Sequence, residues 1–113
     1  MIKVVDVSEV PDNIANEALQ EIEVMCKMDS PYVVGYLDSF IDGQKINIVL
    51  EYCMMGDLNV QVEKQKTMGN KMFIENIIWK IFIHLCLGIQ YMHSKNIVHR
   101  DLKSLNVFMM KDH

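Results

Sequence analysis

The sequence predicts an α+β chain. Three observations carry that reading: Ile/Val/Tyr/Phe-rich runs at the start and over 32–52 broken by turn residues, apolar residues at spacings of three and four before Met28, and a long apolar stretch over 73–94. The first is strand chemistry, and the other two are helix chemistry.

Met1 to Val7 alternates weakly and is rich in Ile and Val, which predicts a short strand carrying Lys3, and Ser8 to Asn13 hold the breakers that end it. From Asp12 or Asn13 to Met28, the residues Ala15, Ala18, Leu19, Ile22, Met25 and Cys26 form one apolar helical face, with Glu21 at its edge. Asp29-Ser30-Pro31 stops that helix, because the residue before a proline is pushed away from helical angles. Residues 32–41 and 45–52 read as two antiparallel strands joined by a hairpin turn at Asp42-Gly43-Gln44. Met54-Met55-Gly56-Asp57 breaks the pattern, and Asp57 is placed to cap a short helix from Leu58 to about Gln65. Residues 66–71 read as a loop. The helix predicted over 73–94 is apolar on nearly all sides, the pattern of a buried core helix. His93-Ser94 ends it, and Val107-Phe108-Met109 reads as a short strand.

Composition narrows the class. With 113 residues, 50% hydrophobic and 23% charged, the chain is globular in type. Fourteen of the twenty residues over 73–92 are apolar, but Glu75, Lys80 and His84 interrupt them and no apolar run exceeds three, so a membrane span is not expected. The net charge of −4 divides into −8 over residues 1–59 and +4 over 60–113. That balance does not imply a nucleic-acid partner, whereas a basic second half suits an anionic ligand as well as it suits ordinary solvated charge. Cys26, Cys53 and Cys86 are odd in number and lack metal-type spacing, which argues against a disulfide framework or a zinc site and for a reducing cytoplasmic or nuclear setting. His84, His93 and His113 have no ligand-type spacing and read as helix, cap and terminal residues. The ten methionines read as core filler. No leader, repeat or Gly/Ser linker is expected.

The chemistry concentrates in Ile97-Val98-His99-Arg100-Asp101-Leu102-Lys103-Ser104-Leu105-Asn106. Phosphoryl transfer needs a carboxylate to orient the attacking hydroxyl and take its proton, and a carbonyl oxygen to help hold a metal ion between phosphates. Asp101 and Asn106 supply both at a five-residue separation, and Lys103 adds positive charge beside them. Asp, Ser and Asn also form turns by bonding their own backbone, so a plain surface turn is the competing reading. A third is the looser H-x-D-x-x-x-x-N loop of small-molecule phosphotransferases, against which Arg100 and Lys103 argue.

This loop resembles the catalytic loop of protein kinases, H-R-D-L-K-x-x-N, and the order strand with Lys, helix with Glu, hairpin, linker, helix and loop resembles the middle of a kinase domain. The resemblance covers essentially the whole chain. It implies a protein-kinase-like two-lobe fold, incomplete here: residues 1–52 as part of the N-lobe, 53–57 as the hinge and 58–113 as the C-lobe up to the catalytic loop. Lys3 then looks like the lysine that grips the α- and β-phosphates of ATP, and Glu21 like its helix partner. Leu50-Glu51-Tyr52-Cys53 resembles the gatekeeper and hinge, where backbone groups of Glu51 and Cys53 would bond the adenine. Asp101 would be the base, Lys103 a charge at the transferred phosphoryl, and Asn106 a ligand of Mg2+. Arg100 would pair with a phosphorylated activation loop.

Glu51-Tyr52-Cys53 with Gly56-Asp57-Leu58, and the loop Asp101 to Asn106, are similar to the NIMA-related (Nek) Ser/Thr kinases, which implies a protein substrate with Ser or Thr hydroxyls. A Gly-rich loop is expected before Lys3, where only Met1 and Ile2 stand, and a D-F-G segment after Met109, beyond His113. A fragment of a kinase is therefore the expectation. A non-catalytic, pseudokinase-like interaction module that exposes helix 73–94 is the alternative.

Overall fold

The computed structural model describes residues 1–69 and 71–111; His113 lies outside the described residues. The chain divides into two compact units, Met1–Tyr52 and the segment from Cys53 onward.

The first unit is a three-stranded antiparallel sheet with one helix. Strand β1 (Ile2–Asp6) pairs with β3 (Lys45–Leu50), which pairs on its other side with β2 (Tyr36–Asp42), so that β3 is central. Central position and period-two alternation together dictate the core: Ile46 and Ile48 point to one face and are 4% and 2% exposed. Helix α1 (Asp12–Cys26) brings Ile22 onto that face, and Val5, Val7, Ala18, Met25, Tyr36 and Leu50 pack around the three isoleucines. Ala18, Ile22 and Met25 are the i, i+4, i+7 stripe of the helix. Leu19 and Cys26, counted on the same face in the sequence, are exposed, so the buried stripe is narrower than the apolar one.

Several boundaries move, each for a local reason. Strand β1 stops at Asp6, whose side chain accepts the Ser8 N–H at 2.9 Å and closes an Asx turn. Hydrogen bonding by the Ser8 hydroxyl, and next by this Ser8 N–H, holds the Asp6 carboxyl below the usual carboxylate range. Helix α1 ends two residues before Met28 because Lys27 and Met28 donate to Val24 and Met25, three residues back, tightening the last turn. Strand β2 begins at Tyr36 rather than 32: Ser30 Oγ accepts the Tyr32 N–H, its carbonyl accepts that of Val33, and Gly35 is bonded to Glu51. These turn bonds override the strand preference of Tyr32-Val33-Val34. Gly43, at φ +59°, supplies the positive φ of the predicted hairpin.

In the second unit, helix α2 (Leu58–Thr67) starts as the sequence predicts, with the Asp57 carboxylate accepting the Val60 N–H at 2.8 Å. It runs two residues past Gln65, with Lys64 and Lys66 in the last turn complementing the helix dipole. The 107–109 strand is reduced to one antiparallel bridge between Asp57 and Phe108, flanked by Leu58 N–H to Val107 O and Met109 N–H to Gly56 O. Gln61, buried, donates from Nε2 to the Met55 carbonyl and ties the linker to α2. In a folded protein carrying this segment, Asp57→Ala is expected to cost about 1 kcal/mol in a denaturant melt, and Asp57→Asn to recover most of it. Equal losses for both variants would show that the cap bond is not what stabilises this helix start.

Helix α3 (Glu75–Ser94) departs from expectation in burial, not in type. Only Gly88 is buried, while Ile77, Ile78, Trp79, Phe82 and Ile83 are 40–55% exposed. The expected buried core helix is thus corrected: a helix apolar on all sides needs packing partners on all sides, and the described residues cover only part of it. Among the described residues no helix is long and apolar enough to cross a membrane.

Candidate active site

Helix α3 is ended by a Schellman motif that the sequence reading missed. Ile97 N–H donates to Met92 O at 2.9 Å and Asn96 N–H to His93 O at 3.0 Å, with Asn96 in the left-handed region at φ +60°. Asparagine is the non-glycine residue best suited to that conformation. This cap turns the chain directly into the loop beginning at Ile97.

Four residues on, Arg100 is also left-handed, at φ +72°. A long side chain gains nothing local in that conformation, so the surrounding bonds hold it there. They are on either side of it: the Asp101 N–H donates to His99 Nδ1 at 3.1 Å, and Asn106 Nδ2 donates to the Asp101 backbone carbonyl at 2.9 Å. Nδ2 also reaches the Asp101 carboxylate oxygen Oδ2 at 3.2 Å, and Lys103 Nζ lies 3.3 Å from the same oxygen. A 3-10 turn, Ser104–Asn106, brings Asn106 back over Asp101.

Two consequences follow from this placement. Both contacts to the carboxylate fall on Oδ2, and among the described residues none falls on Oδ1, which can therefore accept a hydroxyl hydrogen. The Asn106 amide, with its nitrogen committed to Asp101, presents its oxygen, a hard donor of the kind Mg2+ takes. The Lys103 and Asp101 side chains are 50% and 65% exposed, so their ion pair is worth little to stability and the corner is open to a ligand. Asp101, Lys103 and Asn106, singled out in the sequence, are brought together. No cluster of three or more His, Cys, Asp or Glu occurs among the described residues, so Asn106 would hold a metal ion only together with ligands from the nucleotide or elsewhere.

In the first unit Lys3 lies on β1 opposite Ile48, and Glu21 precedes the buried Ile22 on α1. Both are exposed, and among the described residues no ion pair or hydrogen bond joins them. Glu51 does more than the sequence asked of it. Its backbone N–H donates to the Gly35 carbonyl at 2.8 Å, and its carboxylate accepts the Gly35 N–H at 3.1 Å. Nothing in the sequence pairs Glu51 with a glycine sixteen residues earlier. In the second unit Cys53 is buried and its carbonyl accepts the Gly56 N–H.

Residues 1–113 match the family model described as the protein kinase domain. The chain belongs to the protein kinase family. It is 39% identical over 109 residues to the human serine/threonine-protein kinase Nek11, and 35% over 112 residues to mouse Nek1, covering 96% and 99% of this chain. A probable serine/threonine-protein kinase nek3 of Dictyostelium discoideum is 36% identical over 109 residues. The Nek resemblance read from Glu51 to Leu58 and Asp101 to Asn106 is thus borne out. This kinase chain spans only 10%, 9% and 17% of the lengths of the Dictyostelium, Nek1 and Nek11 relatives.

Proposed function

We propose that this segment serves a Ser/Thr protein kinase that transfers the γ-phosphate of ATP to protein Ser or Thr hydroxyls. The observation that carries the proposal is the Asn106 amide bonded through its nitrogen to both the carbonyl and the carboxylate of Asp101. That arrangement leaves one oxygen for a metal and one for a proton at adjacent positions. Asp101 orients the substrate hydroxyl and accepts its proton. Lys103 offers charge to the phosphoryl oxygens, and Asn106 would hold Mg2+, which when bound neutralises charge between the phosphates. Lys3 is assigned to the α- and β-phosphates, with Glu21, not bonded to it in this structure, as the partner that would take its ammonium in the assembled kinase, and the backbones of Glu51 and Cys53 to the adenine. Residues 1–52, 53–57 and 58–113 are assigned to N-lobe, hinge and C-lobe parts, in a cytoplasmic or nuclear protein.

The test uses residues 1–113 grafted into the kinase domain of mouse Nek1 in place of the matching segment. Phosphate transfer from ATP and Mg2+ to a Ser/Thr peptide library is expected, and its absence overturns the proposal. In the same domain Lys3→Met and Glu21→Gln should each lower kcat/KM, with the double variant losing much less than the sum, because two residues that act as one unit couple. Additive losses would remove Glu21 from its role as partner of Lys3. One observation favours the other reading, a non-catalytic interaction module: the exposed apolar residues of α3. Transfer abolished by Asp101→Asn excludes it.

A further inference from the structure

The bonds between Glu51 and Gly35 form a closed pair. Both polar groups of Gly35 are taken by one residue: its N–H by the Glu51 carboxylate at 3.1 Å, its carbonyl by the Glu51 N–H at 2.8 Å. The match is tight. A Cβ placed on Gly35 would stand 3.3 Å from Glu51 Oε2 and 3.6 Å from Glu51 Cβ, so the glycine leaves room for the carboxylate. Both residues are half-buried, where a charge-assisted bond to a backbone N–H is stronger than at an open surface.

The position of the pair gives it a purpose. The ladder of β2 and β3 ends with Tyr36 opposite Leu50, so Glu51 is the first residue that the sheet no longer holds. With its N–H and its side chain both anchored on Gly35, the Cα frame of Glu51 is fixed and only ψ remains soft ahead of its carbonyl. We infer that the Glu51 side chain is a positioning group that, clamped on Gly35, holds the Glu51 carbonyl in place and thereby sets the preference for an adenine over a guanine nucleotide. The inference rests on the adenine assignment proposed above. Adenine offers an amino N–H to a carbonyl where guanine carries an oxygen. A fixed carbonyl accepts the first and repels the second, whereas a loose one can turn away and discriminates less.

The experiment compares ATP with GTP in the grafted kinase domain. Glu51→Ala should lower the ATP-over-GTP ratio of kcat/KM about tenfold, the equivalent of about 1.4 kcal/mol, with the change in KM for ATP rather than in kcat. Glu51→Gln keeps an oxygen for the Gly35 N–H and should restore the ratio to within about twofold. Gly35→Ala, which crowds Oε2, should reproduce the Glu51→Ala phenotype in part and serves as the second variant if Glu51→Ala does not fold. Displacement of a fluorescent ATP analogue by ATP and by GTP reads the same ratio without turnover. A segment inactive in transfer would end the kinase proposal yet still test the clamp by displacement. A lowered melting temperature with an unchanged ATP-over-GTP ratio, or Glu51→Gln behaving as Glu51→Ala, overturns the inference.

Discussion

Asp101→Asn in the grafted kinase domain is expected to lower kcat by about 10²–10⁴-fold with little change in nucleotide affinity. Asparagine keeps the size of the side chain, and its oxygen can still meet a hydroxyl, but it cannot take the proton. The neighbouring contacts sharpen the expectation. Asn106 Nδ2 keeps its bond to the Asp101 backbone carbonyl in the variant, so the loop retains an anchor while the base is lost. Lys103 loses its carboxylate partner at 3.3 Å, which makes it freer to meet a phosphate and preserves nucleotide binding. Single-turnover rates together with a nucleotide titration separate the two effects. Near-normal turnover in the variant would remove Asp101 from the role of base.

Residues 1–113 purified alone are expected neither to melt cooperatively nor to transfer phosphate. In the first unit the buried apolar side chains among the described residues are few, Ile22, Ile46 and Ile48. In the second, Ile77, Ile78, Trp79, Phe82 and Ile83 remain 40–55% exposed. Leaving such side chains wet forfeits part of roughly 1.5–3 kcal/mol each, against a whole domain's margin of about 5–15 kcal/mol. Apolar surface of that extent drives association. Chemistry should fail as well, since Asn106 alone cannot hold the metal between phosphates. The checks are sedimentation, a thermal scan and a transfer assay. A soluble monomer with a sharp melt would sink the folding claim, and transfer abolished by Asp101→Asn the claim of inertness.

What the sequence made legible was set by the range of the interactions involved. Elements written in short periods came through: the stripe of Ala18, Ile22 and Met25, the Gly43 hairpin and the Asp57 cap each depend on residues within a few positions. The corner of Asp101, Lys103 and Asn106 came through for the same reason. What failed depended partly on partners far along the chain and partly on local turn and cap bonds that hydropathy does not report. The strand expected from residue 32 was shortened by bonds from Ser30 and Glu51. The α3 helix was expected to be buried because hydropathy reports appetite for cover, not its supply. Glu51 was read for its backbone alone, since no local pattern announces a carboxylate reaching Gly35.

The range of the bonds at the catalytic corner has a wider meaning. Every contact there spans five residues or fewer: Asp101 with His99, Lys103 with Asp101, Asn106 with Asp101. Lys3 and Glu21 sit on separate elements and depend on a sheet and a helix being correctly joined. The corner can therefore keep its shape where longer-range contacts are disturbed, because its geometry is written in one short stretch of chain.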